Sequence, residues 1–209
     1  MFEFVNLHYY YFYQRLWGVI EEAGRRDMGV FIISPNDKGG RLFDPPALLR
    51  DLTAPQSPLQ FNARFCLRTP LVHTLSFGMD APAQLRALPG IVRNGAQWDE
   101  LDEQALKRLD AQLEKDPYSK LDATRLDPGE SGINLYEVLR FRTMWKCYDM
   151  EGWCKYRYNM FQEKGDWFPG AFATKENLAK LPEEKIPEGV PLKALLREFH
   201  ERFYIPKKG

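Results

Sequence analysis

Two short turns carry the residues best suited to hold an anion. Ser34-Pro35-Asn36-Asp37-Lys38-Gly39-Gly40-Arg41 combines a hydroxyl, a glycine pair and two cations. Glycines at 39 and 40 let backbone N–H groups approach a phosphate with no Cβ in the way, and Lys38 and Arg41 add charge. Ser76-Phe77-Gly78-Met79 leaves similar room. Either turn alone reads equally well as a surface loop. As a pair following neighbouring strands, they favour a phosphate. Asn6 sits in an otherwise apolar run, where a buried carboxamide needs partners. It either holds a neighbouring loop or reads the amide of a ligand.

The remaining polar residues suggest less chemistry. His8, His73 and His200 have no carboxylate or hydroxyl at a telling spacing, so a structural role is expected for each. Asp99, Glu100, Asp102, Glu103, Asp149, Glu151, Glu183 and Glu184 read as solvated helix faces. Cys66, Cys147 and Cys154 form no Cys-x-x-Cys pair, so free buried thiols are expected and no metal site. Aromatic and basic residues alternate between Tyr148 and Trp167, but at helical spacing, which favours packing and cation–π contacts over base stacking. Lys+Arg and Asp+Glu balance at 29 each, leaving no basic footprint for nucleic acid. No apolar run reaches the roughly 18 residues that span a bilayer. The aromatic-rich start lacks a basic leader, so a cytoplasmic address is expected.

The elements that must position these turns alternate. Phe2–Tyr10 reads as a strand, and Tyr13–Arg26 as an amphipathic helix with Leu16, Trp17, Ile20 and Ala23 on one side. Val30–Ile33 is a short apolar run suited to a strand buried on both faces. Two helices, around Ala47–Leu52 and Leu59–Leu67, lead to a third strand at Val72–Phe77, followed by a helix opened by Asp80 and Pro82. Strands joined through helices imply parallel pairing. From about Gln97 the pattern becomes helical, with stripes at Leu106/Leu109/Leu113, Val138/Phe141/Trp145/Tyr148 and Leu192/Leu195/Leu196/Phe199/Phe203. The expected organisation is thus residues 1–96 as an α/β part and 97–209 as a helical extension.

The strand segments and their loops resemble strands six to eight of the aldo/keto reductases. The resemblance is carried by Phe4-Val5-Asn6-Leu7-His8-Tyr9-Tyr10, by Gly29-Val30-Phe31-Ile32-Ile33-Ser34-Pro35 with Lys38-Gly39-Gly40, and by Leu75-Ser76-Phe77-Gly78-Met79. Gly132-Ile133-Asn134-Leu135-Tyr136-Glu137-Val138-Leu139-Arg140, Tyr156-Arg157-Tyr158-Asn159-Met160 and Trp167-Phe168-Pro169-Gly170 resemble the branch with an iron–sulfur-type C-terminal extension. The implied fold is an incomplete (β/α)8 TIM barrel, its last three βα units, with an α-helical C-terminal extension. The implied activity is NAD(P)H-dependent carbonyl reduction by hydride transfer, with NADP as cofactor and a small carbonyl compound as substrate.

By that resemblance Asn6 matches the position that holds the nicotinamide amide. Ser34, Lys38 and Gly39 match the loop over the pyrophosphate, Gly78 and Met79 the turn near the adenosine phosphate, and Gln84 an adenine-side position. Ile33 stands where many relatives stack an aromatic ring. Thr124–Ser131 lacks the cysteines of cluster-binding members, so no iron–sulfur cluster is expected. The family's Asp, Tyr, Lys and His come from earlier strands. No catalytic residue is therefore assigned, and the chain is expected to be inactive alone unless a partner chain supplies the N-terminal barrel half. A non-catalytic binding or structural protein derived from the same fold is the alternative.

Overall fold

A computed structural model describes residues 2–37, 41–160 and 172–206. The chain divides into two compact units, Met1–Ala111 and Gln112–Gly209. Residues 97–111 group with the first unit, where Asp99 and Asp102 meet Arg64. The sequence-based boundary after residue 96 lies upstream of that point.

The first unit is α/β. Three strands, β1 (Phe4–Leu7), β2 (Gly29–Ile33) and β3 (Thr74–Ser76), pair in parallel in that order. Asn6 lies opposite Phe31, and Ile33 opposite Ser76. Period-2 alternation sorts their side chains between two faces. Leu7, Val30 and Ile32 point to the buried face, each at most 6 % exposed. On the other face Phe4 is 65 % exposed and Asn6 is exposed, with Phe31 and Ile33 half-buried. Parallel sheets ordinarily bury both faces; among the described residues this one leaves one face uncovered at β1, one of its two edge strands.

β1 is shorter than Phe2–Tyr10 because the chain folds back on itself after Leu7. Tyr10 and Tyr13 exchange backbone hydrogen bonds of 3.0 and 2.8 Å, which takes this stretch out of the ladder. The tyrosines there are packed, as their clustering suggests: Tyr9 and Tyr10 are each 2 % exposed. Helix α1 (Trp17–Arg25) buries Ile20 and Ala23. Helices α2 (Ala47–Thr53) and α3 (Pro58–Leu67) fill the β2–β3 connection. α3 starts firmly, with Pro58 in its first turn and a capping box in which Ser57 Oγ accepts from Gln60 N–H and Gln60 Oε1 accepts from Ser57 N–H. After β3 the helix expected at Pro82 is split into α4 (Pro82–Leu85) and α5 (Leu88–Ile91). Pro89, in the first turn of α5, has no N–H to continue the earlier ladder.

The centre of this unit is polar as well as apolar. Arg64, on α3, is fully buried and pairs with Asp102 on α6 (Glu100–Leu113) through Nε at 2.9 Å and Nη2 at 2.6 Å. Its remaining donors reach the carbonyls of Ile91, Arg93 and Gln97. Asp102 was expected on a solvated face and is instead 0 % exposed. Burial alone would raise its carboxyl; the Arg64 hydrogen bonds and the Asp99 backbone N–H outweigh it and hold the group below the usual carboxylate range. One helix is thereby fixed to three following segments.

The second unit is helical: α7 (Leu135–Tyr148), α8 (Glu151–Tyr158), α9 (Lys175–Ala179) and α10 (Leu192–Phe203). Gly132, at φ 66°, makes the left-handed turn that delivers Asn134 as N-cap of α7, its side chain accepting from Glu137 N–H. Phe141, Phe199 and Phe203 from α7 and α10 meet Trp145, Trp153 and Tyr158 in a shared aromatic core. Arg140 and Arg157 lie over the Trp153 ring, the packing expected of the basic-aromatic stretch. Trp167-Phe168-Pro169-Gly170 lies outside the described residues.

Candidate functional site

In a parallel sheet ligands bind outside the carboxyl ends of the strands. At that end Ser34 follows β2 and Gly78 follows β3, and the two turns are physically joined. Ser34 N–H donates to Ser76 O at 3.1 Å, and the Asn36 side-chain amide donates to Gly78 O at 2.6 Å. Ser34 and Asp37 both take φ of 56°, and Asp37 N–H returns to Ser34 O at 2.9 Å. Left-handed backbone at two non-glycine residues is costly, so the bonds around it must hold the loop. Asn62, buried on α3, accepts from Tyr11 N–H at 3.1 Å and donates to Pro35 O. The loop after β2 is thus tied to the segment after β1, to α3 and to the turn after β3.

Farther along the chain, the residues that follow the β2 loop, the start of α3 and α4 enclose a pocket of about 560 Å³, lined among others by Leu42, Phe43, Pro58, Leu59, Gln84 and Ala87. Its volume is in the range of small-molecule and cofactor sites. Gln84 is held in place by Asp80: its Nε2 donates to Asp80 Oδ1 at 2.8 Å, and its Oε1 accepts from Asp80 N–H at 3.0 Å. Gln60 reinforces the same wall by donating to Ala87 O at 3.0 Å.

The sequence-selected residues are distributed as follows. Gly78, Met79 and Gln84 share the turn after β3 and the start of α4, and Ser34 is hydrogen-bonded to β3 across the ladder. A Cβ on Gly78 would meet nothing within 4 Å, so open space lies above that turn. Asn6 projects from the open face of β1 and is exposed, where a buried carboxamide was expected. Alternation sets its side, and among the described residues no element covers β1 there. Lys38 and Gly39 lie outside the described residues. Sequence reasoning passed over Asn36 and Asn62, both at most 2 % exposed, which do the tying. The signal for Asn36 was its place in a Pro-Asn-Asp turn; Asn62 left none, being one polar residue in a helix.

Compared with family models, curated proteins and solved structures, this chain matches none.

The histidines have the structural partners expected of them. His8 Nδ1 meets Ile33 O at 3.1 Å, His73 Nδ1 accepts from Val30 N–H at 3.0 Å, and His200 Nδ1 meets Tyr158 OH at 2.9 Å. Burial pushes His200 below its ordinary pKa and Tyr158 above its own. The three cysteines are free and buried, and burial pushes the Cys147 thiol up to about 11. Among the described residues no group of three His, Cys, Asp or Glu could hold a metal ion, and no helix is long and apolar enough to cross a membrane.

Proposed function

We propose that the first unit is the cofactor end of an aldo/keto reductase-like oxidoreductase, its strands being the last three of an eight-stranded barrel. One observation carries the reading: the Asn36–Gly78 bond joins the two loops at the carboxyl end of a parallel sheet, beside a pocket lined by Gln84. Gln84 and the apolar walls at Leu42, Pro58 and Leu59 suit a planar base, the open space above Gly78 suits a phosphate, and Asn6 offers a carboxamide from the sheet face. The group held there, NADP in this reading, would in its reduced form NADPH supply hydride to a small carbonyl compound.

The carbonyl oxygen also needs a proton donor. Tyr9 and Tyr10 are each 2 % exposed and packed, and burial raises the Tyr9 hydroxyl further, so neither is placed to donate. The donor is assigned to a partner chain that supplies the other barrel strands and covers Phe4 and Asn6. A cytoplasmic address fits such a reductase. The uncovered sheet face also favours a second reading, a non-catalytic protein that presents this face to a partner.

Titrating NADPH by its fluorescence against the purified chain tests the first reading. Saturable binding without carbonyl-dependent oxidation is expected. Absence of binding, with a reductase half-barrel added as well, would leave the second reading.

A further inference from the structure

Within the second unit, α8 and α10 are joined near their C-terminal ends by a tyrosine–histidine pair. Tyr158 is 0 % exposed, and its hydroxyl meets one partner among the described residues, His200 Nδ1 at 2.9 Å. His200 is half-buried, its ring stacked on Tyr204 at 4.6 Å and 17°. A buried hydroxyl proton needs an acceptor. Tyr158 O–H therefore donates to Nδ1, and the neutral imidazole carries its own proton on Nε2. Beside this pair Asn159 Nδ2 donates to Phe203 O and Asn159 Oδ1 accepts from Ile205 N–H, both at 2.8 Å. These three bonds tie the end of α8 to the last turn of α10 and the segment after it. Of the groups that make them, His200 alone titrates near neutral pH.

A proton added to His200 goes to Nδ1, since Nε2 already holds one. Nδ1–H must then donate to the Tyr158 oxygen, and the hydroxyl proton is left with no acceptor in a site closed to water. That loss opposes protonation, and burial of the ring opposes it further. The titratable groups facing the ring are Tyr158 from α8, Tyr204 beyond α10 and Glu201 on α10 itself. Burial outweighs the Glu201 charge and holds His200 below its ordinary pKa. The closed end thus takes the proton less readily than the opened one. Its stability is complete above the unfolded value of about 6.5 and falls as pH drops below it.

We infer that Tyr158 and His200 form a proton-operated latch, which holds the end of α10 with Tyr204 and Ile205 against α8 at neutral pH and lets them open in mild acid.

Hydrogen–deuterium exchange of the full chain at about pH 7.5 and about pH 5.5, corrected for the intrinsic rate, tests it. The peptide to follow spans residues 199–206 and includes Tyr204 N–H, bonded to His200 O at 2.9 Å, and Ile205 N–H. In wild type its protection is expected to fall in acid by up to about tenfold, one decade for the pH unit below 6.5. His200→Asn, whose side-chain oxygen can accept from Tyr158 without titrating, should be protected equally at both. Tyr158→Phe has no hydroxyl to strand, so the fall should shrink. A change under about twofold in wild type, or a fall as large in His200→Asn, would overturn the latch. So would the full wild-type fall in Tyr158→Phe, which would make burial of the ring, and not the pair, its cause.

Discussion

The two sides of the three-stranded sheet are built on opposite terms. On one side Leu7, Val30 and Ile32 are sealed, and elsewhere in the same unit α3 carries a buried Arg64 with its donors satisfied by Asp102 and three carbonyls. On the other, Phe4 stands 65 % exposed and Asn6 faces solvent beside a half-buried Phe31. The sealed side is where this chain spends its packing. The open side and the loops at the carboxyl end carry Asn6, Ser34 and Gly78, which are proposed to meet a ligand. Stability and recognition are therefore separable by mutation in this unit.

The sharpest break should come at Arg64. Removing a partner from a buried ion pair strands the other charge, typically at about 3–5 kcal/mol. Arg64→Ala is expected to lower unfolding free energy toward the lower end of that range in urea titrations, because the buried Asp102 would lose its Arg64 bonds and keep Arg93, at 2.9 Å, as its cationic partner. A loss under about 1 kcal/mol would mean that water reaches Asp102, and the contrast between the faces would weaken. Replacing both partners with apolar residues should cost less than Arg64→Ala alone.

Next in size is a paired test across the sheet. Ile32→Ala removes a fully buried side chain and is expected to cost about 2–5 kcal/mol. Phe4→Ala, one strand away on the open face, should stay within about 0.5 kcal/mol in the isolated chain. The order would reverse only if something covers Phe4 in solution. Self-association, read by sedimentation, should then fall in Phe4→Ala.

This contrast was only half legible in the sequence. The apolar run marked Val30–Ile33 as a strand, and the helical patterns between the strands predicted parallel pairing, since hydrophobic period is a local property. That the other face would stay open was not readable residue by residue, and Val30–Ile33 was expected to be buried on both sides. Asp102 shows the commonest reason for failure. Among Asp99, Glu100 and Glu103 it looks like part of a solvated face, and only the tertiary approach of Arg64, 38 residues earlier, makes it a core residue. The segments after β2 and β3 were legible as loops from their Pro, Asn and Gly residues. What joins them was not, because Asn36 and Asn62 act through contacts at sequence separations of 42 and 27.

Acid should sharpen the same division. Asp102 is held below its ordinary pKa in the folded state, so it contributes stability above the unfolded value of about 3.9. That contribution is lost as pH falls through the lower folded value. Acid unfolding monitored by fluorescence should therefore begin at higher pH in Asp102→Asn than in wild type. A wild-type transition centred near neutral pH would point to some other group.

The smallest effect on stability should come from Asn36, and it tests the loops directly. Its amide bond to Gly78 O, at 2.6 Å, is a single neutral hydrogen bond, worth about 1 kcal/mol on removal. Gly78 is exposed, so water can satisfy its carbonyl once the partner is gone. Asn36→Ala should then fold with a loss near that size. It should nevertheless weaken nucleotide binding severalfold, because the turn leading to Gln84 would keep only the Ser34–Ser76 backbone bond to the loop after β2. If binding is unchanged while stability drops, the bond serves the fold alone, and the two loops do not act as one site.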